Sequence, residues 1–195
     1  MPRKKLRTYA AYALMVTVFY VFIHLFILEI FALGWHALHG RTAHLTSPAG
    51  AKYDVDVPTL AMAHLDDSGW NLSLFVRTGP LEFGYRIPPT RWGMMTFSAG
   101  PVSTTAEEAR KAAPVLKEKL GYSSVEVAPR SVAGQELYCF ERTMENSKLP
   151  MNAHDVLTVN CLPLTDKRGF SATYMGKRAF LPEFYGVRSG VRRVN

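Results

Sequence analysis

The sequence predicts an α+β fold in which an N-terminal single transmembrane helix is followed by an antiparallel-rich sheet packed with helices. Three observations predict it. A long apolar run opens the chain, period-two strand patterns occupy most of the remainder, and two stretches of helical period interrupt them in the order strands, helix, strands, helix. The 195 residues leave room for about one ordinary domain beyond the apolar run.

In residues 8–34 only His24 and Glu29 are strongly polar. A helix of that length reaches roughly 40 Å, more than the roughly 30 Å that a hydrocarbon core requires. Arg3, Lys4, Lys5 and Arg7 precede the run and only Arg41 follows it closely, which places the amino terminus in the cytoplasm. The expected division is a basic cytoplasmic tail at 1–7, a transmembrane helix at 8–35, a tether at 36–67 punctuated by Pro48, Gly50 and Pro58, and a periplasmic or otherwise extracytoplasmic domain at 68–195. The expected location is therefore the cytoplasmic (inner) membrane, single-pass. Ala32 and Gly34 form a small-x-small site before Trp35, as in a cleaved signal peptide. The run is about twice as long as an ordinary signal core and contains Glu29, which favours an uncleaved anchor.

The domain begins with "GWNLSLFVR", which alternates as a strand should, followed by "LEFGYRI" and "RWGMMTFSAG", separated by Gly-Pro and Pro-Pro turns. The period then changes. "STTAEEARKAAPVLKEKLG" opens with Thr104-x-x-Glu107 and Thr105-x-x-Glu108, either of which fits a capping box, and stops at Gly121. Pro114 inside it requires a kink or a fresh turn. Four more strands follow: "SSVEVAP", "GQELYCFER", "HDVLTVNCL" and "GFSATYMG". "KRAFLPEFYGVRSGV" closes the chain as a helix, with Leu181, Phe184, Val187 and Val191 at helical spacing and Pro182 in its first turn.

Cys139 and Cys161 each sit in an apolar strand. In neighbouring strands they form a disulfide that staples the sheet; otherwise they are two buried thiols acting as small hydrophobes. An exported compartment favours the disulfide. Two cysteines without CxxC or CxxH spacing lack the remaining ligands of a metal site, and none is expected.

The formal charge of +7 is uneven. Residues 41–165 hold 12 basic and 13 acidic side chains, so the excess belongs to the start of the chain and to its end. The end carries Lys167, Arg168, Lys177, Arg178, Arg188, Arg192 and Arg193, a basic patch suited to headgroups or an acidic partner surface rather than nucleic acid, or else a solvated face with no partner.

At 100° per residue Ala13, Thr17, Tyr20 and His24 share one face of the first helix. Small and polar residues on one face suit contact with another transmembrane helix, and mark this as the partner face. His24, near the middle of the span, needs a partner there: another helix, or the metal of a haem or chlorophyll-type pigment. Glu29 is interfacial. His36 and His39 have a spacing that would let two rings converge on a metal, but with Trp35 they read as headgroup-level residues. No GxSxG elbow or Cys-His-Asn arrangement is present, and His154 and Asp155, adjacent in a strand, point to opposite faces. No enzymatic activity is expected.

Trp70 opening a strand, the Trp92-Gly93 strand, the Ala/Glu-rich helix, "VAGQELYCFER", "VNC", "FSATYMG" and "LPEFYGVRSGVR" together resemble the PsbP-like family, which includes the extrinsic photosystem II subunit and DcrB-type envelope proteins. The resemblance covers residues 68–194. It implies a PsbP-like α/β sandwich and a non-enzymatic accessory or assembly subunit of a larger membrane complex, with photosynthetic or respiratory electron transfer as the more specific expectation. The alternative is a free-standing envelope domain that binds a small ligand or lipid between sheet and helix.

Overall fold

A computed structural model describes residues 3–59, 61–77, 92–120, 122–144 and 156–194. The chain opens with helix α1 (Arg3–His39), about 55 Å long at 1.5 Å per residue. It ends at Gly40, whose φ of 77° is the left-handed stop that glycine adopts without a Cβ clash, and whose N–H donates to the His36 carbonyl at 3.0 Å.

Among the described residues no helix is long and apolar enough to cross a membrane. This corrects the expected transmembrane helix at 8–35, and with it the membrane, single-pass and periplasmic assignments. The helix is continuous with the basic tail. His24 and Glu29 fall outside the residues whose side chains are described.

The stretch read as a tether is structured. β1 (Thr42–Thr46), β2 (Lys52–Asp56) and β3 (Ala61–Leu65) lie in it. β4 (Asn71–Arg77) and β5 (Trp92–Ser98) follow, and "LEFGYRI" between them lies outside the described residues. After α2 (Ala106–Leu120) come β6 (Tyr122–Val132), β7 (Gln135–Met144), β8 (Val156–Pro163) and β9 (Ser171–Lys177). A 3-10 turn (Arg178–Phe180) leads into α3 (Leu181–Ser189), with Pro182 in its first turn. A short β10 (Arg192–Val194) ends the described chain where the sequence suggested helix. The helix stops at Gly190, and Val191 is buried beyond it.

The strands form two antiparallel sheets: a seven-stranded one in the order β3-β4-β5-β9-β8-β7-β6 and a three-stranded one in the order β1-β2-β10. The architecture is α+β. The hairpin between β6 and β7 turns on Ala133 and Gly134, both at positive φ (51° and 79°), with Val132 paired to Gln135. Two positive values in a two-residue loop match the right-handed twist of the flanking strands.

Strand alternation assigns the two faces of the large sheet. Leu72, Leu74 and Val76, Met95 and Phe97, Leu137 and Cys139, Val159 and Cys161, and Ala172 and Tyr174 point to one side, into the main core. There they meet Tyr53 of the small sheet, Phe184 of α3 and Phe170, the residue before β9. The Phe97 ring lies 6.2 Å from Phe170 and 6.3 Å from Phe184, and Tyr174 stacks 5.5 Å from Phe184. On the opposite face Phe140 and Leu162 take α2 through Ala106 and Ala109, with Tyr138 and Leu164 alongside. Helix α2 needs little apolar surface because its start is capped: Thr105 N–H donates to Glu108 Oε2 at 2.9 Å and Glu108 N–H to Thr105 Oγ1 at 3.3 Å. Of the two capping boxes legible in the sequence, the chain uses the second.

Candidate functional site

Two features stand apart from ordinary packing. The first is α1. Its last turns are docked: Ala32 is buried, Trp35 packs against the main core, and the His36 ring nitrogens lie 2.9 Å from the Gly40 carbonyl oxygen and 2.8 Å from that of Pro58. His39 stacks on Trp35 at 5.0 Å rather than converging with His36. Away from that anchor every described side chain from 8 to 22 is exposed, including Leu14 at 66%, Phe19 at 64% and Tyr20 at 68%. An apolar helix exposed around its whole circumference is a surface that water does not favour.

Ala13 and Thr17 of the predicted partner face are exposed with the rest, and the Thr17 hydroxyl turns back to donate to the Ala13 carbonyl at 2.9 Å. That internal bond removes its need for a polar partner. A small and polar stripe stands out as a partner face only where lipid covers the other faces. With apolar residues exposed on all sides, no one stripe is marked.

The second feature lies beneath α3. Cys139 and Cys161, register partners on β7 and β8, form a disulfide on the core face of the sheet. Closing a 22-residue separation is worth about 3 kcal/mol against the unfolded chain. Directly over it sits Arg188, the largest fully buried side chain. Its Nη1 donates to Cys139 Sγ at 2.5 Å and lies 3.4 Å from Cys161 Sγ, and its guanidinium carbon stands 4.7 Å from the Tyr185 ring centre. Among the described residues Nε and Nη2 have no hydrogen-bond partner. The neighbouring carboxylate, Glu141 on β7, is taken by Arg178 at 3.1 Å. Burial pushes the Arg188 guanidinium below its ordinary value, and burial together with Glu141 pushes the Tyr185 hydroxyl up.

Burial takes Arg188 out of the basic patch expected near the carboxyl end. The sequence offered a signal against that grouping, since Arg188 shares the helical face of Leu181 and Phe184, both buried. Three of the other members are paired with carboxylates. Lys167 pairs with Glu108 at 3.1 Å, Arg178 with Glu141, and Arg192 with Asp56 at 3.0 Å. Lys167 and Arg168 precede β9 while Arg178 follows it, which separates them by about 23 Å at 3.3 Å per strand residue. Lys177 belongs to β9, and Arg193 is exposed on β10 opposite Tyr53. Trp70 rests against Gly100, where an added Cβ would come within 3.0 Å of the indole ring.

No group of three or more potential metal ligands occurs among the described residues. His64 is exposed on β3, and His154 and Asp155 lie outside the described residues. No protein-family model matches the sequence, and no curated protein matches it.

Proposed function

We propose that this protein is a non-enzymatic accessory or assembly subunit of a larger protein complex, joined to its partner through α1. The observation that carries the reading is the exposed apolar circumference of that helix. About ten large apolar side chains between Tyr9 and Phe22 are exposed by roughly half or more. At about 1–2 kcal/mol each for completing their burial, covering them is worth on the order of 10 kcal/mol, comparable with the cost of association. The docked end of α1 at Ala32, Trp35 and His36 fixes how the helix leaves the domain, so that binding does not have to order it. The resemblance to PsbP-like proteins points the same way. The space between sheet and α3 is filled by Phe97, Phe170, Tyr174 and Phe184, so the alternative of a ligand bound there gains no support.

The test is site-specific photocrosslinking in cells, with the reactive group at Met15 or Phe19 on α1 and, for comparison, at Leu65 on β3. A single protein adduct of constant mass from both helix positions and not from Leu65 is the expected result. Adducts with lipid alone, or none, would refute the reading.

A further inference from the structure

The oxidised sheet leaves Arg188 in an unusual position. A guanidinium is a permanent cation with five N–H donors, and here it is fully buried; among the described residues its hydrogen-bond acceptors are two neutral sulfurs, and Nε and Nη2 have no partner there. The groups that face it are Tyr185 from its own helix, Arg130 on β6, whose guanidinium carbon lies 5.9 Å from the Tyr185 ring, Glu141 on β7, already paired with Arg178, and the two cysteines on β7 and β8. No anion compensates it among the described residues. An anion is latent in its closest neighbour, because a thiolate at Cys139 would stand against Nη1.

We infer that Cys139–Cys161 is a reducible disulfide, taking electrons from a dithiol reductant, whose reduced state is held as a Cys139 thiolate paired with the Arg188 guanidinium. Both sulfurs are buried beneath α3, a nine-residue helix, so attack occurs when that helix lifts locally. A thiolate of the reductant attacks Cys161 Sγ, a mixed disulfide forms, and the S–S bond breaks with its electron pair leaving on Cys139, the sulfur nearest the cation. The second thiol of the reductant, as thiolate, then attacks its own sulfur in the mixed disulfide. It releases Cys161, which takes one proton. The reductant departs as its disulfide, having lost two electrons and two protons. The protein has gained two electrons and one proton, and the other proton goes to solvent. When α3 closes, the guanidinium acquires the counter-charge it lacks in the oxidised protein. Stabilising the thiolate favours reduction, as in oxidoreductases whose reduced form is the stabilised one.

The experiment equilibrates the full-length protein with mixtures of reduced and oxidised dithiothreitol, then quenches with acid, alkylates and counts thiols by mass. Because the reduced protein takes up one proton and the reagent releases two, the wild-type equilibrium constant for reduction should rise close to tenfold per pH unit below the ordinary thiol value of about 8.5. In Arg188→Met both thiols are protonated and that dependence should vanish, with reduction near neutrality at least about tenfold less favourable, which is 29.6 mV for a two-electron couple. Arg188→Lys keeps the charge and should keep the slope. If Arg188→Met does not fold, the wild-type slope and the ultraviolet absorbance of a thiolate decide alone. A flat wild-type profile, equal constants in wild type and Arg188→Met, or resistance of the native protein to dithiothreitol at every ratio would overturn the inference.

Discussion

Replacing Arg188 by methionine should stabilise the oxidised protein, the opposite of what substitution at a fully buried position ordinarily does. The magnitude follows from the contacts. Nε and Nη2 each lack a partner among the described residues, and an unsatisfied buried donor costs about 1–3 kcal/mol, so removing both recovers roughly 2–6 kcal/mol. Against this stand the stacking of the cation on Tyr185 at 4.7 Å, worth about 1–2 kcal/mol, and a weak hydrogen bond to sulfur. Methionine is unbranched and adaptable and fills most of the vacated volume, at a cost of about 1 kcal/mol. At the middle of these ranges the net expectation is a gain of about 1 kcal/mol, in line with the replacement of other buried charges by apolar side chains. The assay is urea unfolding of the oxidised wild type and variant. For an m-value of about 2 kcal/mol/M the midpoint should rise by about 0.5 M with m unchanged. A loss of more than about 1 kcal/mol would mean that the guanidinium is well partnered, and would refute the reasoning. In the reduced protein the sign should reverse, because the variant leaves the Cys139 sulfur without its cation.

Two further predictions concern the frame around the site. Ala133 holds a φ of 51° in the β6–β7 turn, a region that disfavours most side chains by about 1–2 kcal/mol and that asparagine tolerates, so Ala133→Asn should raise stability by about 0.5–1 kcal/mol in the same unfolding assay. The Thr105 N–H, together with Lys167 and the Thr104 hydroxyl, holds the Glu108 carboxyl down at about 2, from an ordinary 4.5; Ser68 and Asn71 likewise lower Asp66. As pH falls the unfolded chain protonates first. The stabilisation is complete above about 4.5 and lost towards about 2, and Glu108→Gln should flatten that part of the stability profile. Glu183, raised by burial, acts in the opposite direction, so an unchanged slope in the variant would show that the Thr105 cap carries none of the acid sensitivity.

The pattern of the chain was local enough to be read before folding. Alternation located β4, β5 and β6 to β9, the Thr-x-x-Glu spacing and Gly121 bracketed α2, and Pro182 marked the first turn of α3, because side-chain period and end chemistry depend on neighbours a few residues away. Residues 36–67 resemble a tether in sequence because β1, β2 and β3 are only five residues each, and Pro48, Gly50 and Pro58 mark turns as readily as they would mark a linker. Hydropathy could identify α1 as an apolar helix but not what surrounds it. That depends on the continuous length of the helix and on where it leaves the domain.

Sequence by itself thus determined the strand and helix periods, the opening apolar helix, and a pair of cysteines whose bonding it left open. Tertiary structure decided that β7 and β8 are neighbours in a register that sets Cys139 against Cys161, and that α3 lies across them. It decided as well that Arg188, among the cations near the carboxyl end whose side chains are described, is the one taken out of water. The physical reason is that charge and pairing are set by distances between segments far apart in the chain, which no local pattern encodes. Arg188 is 49 residues from Cys139 and 27 from Cys161, and only the packed fold brings all three together.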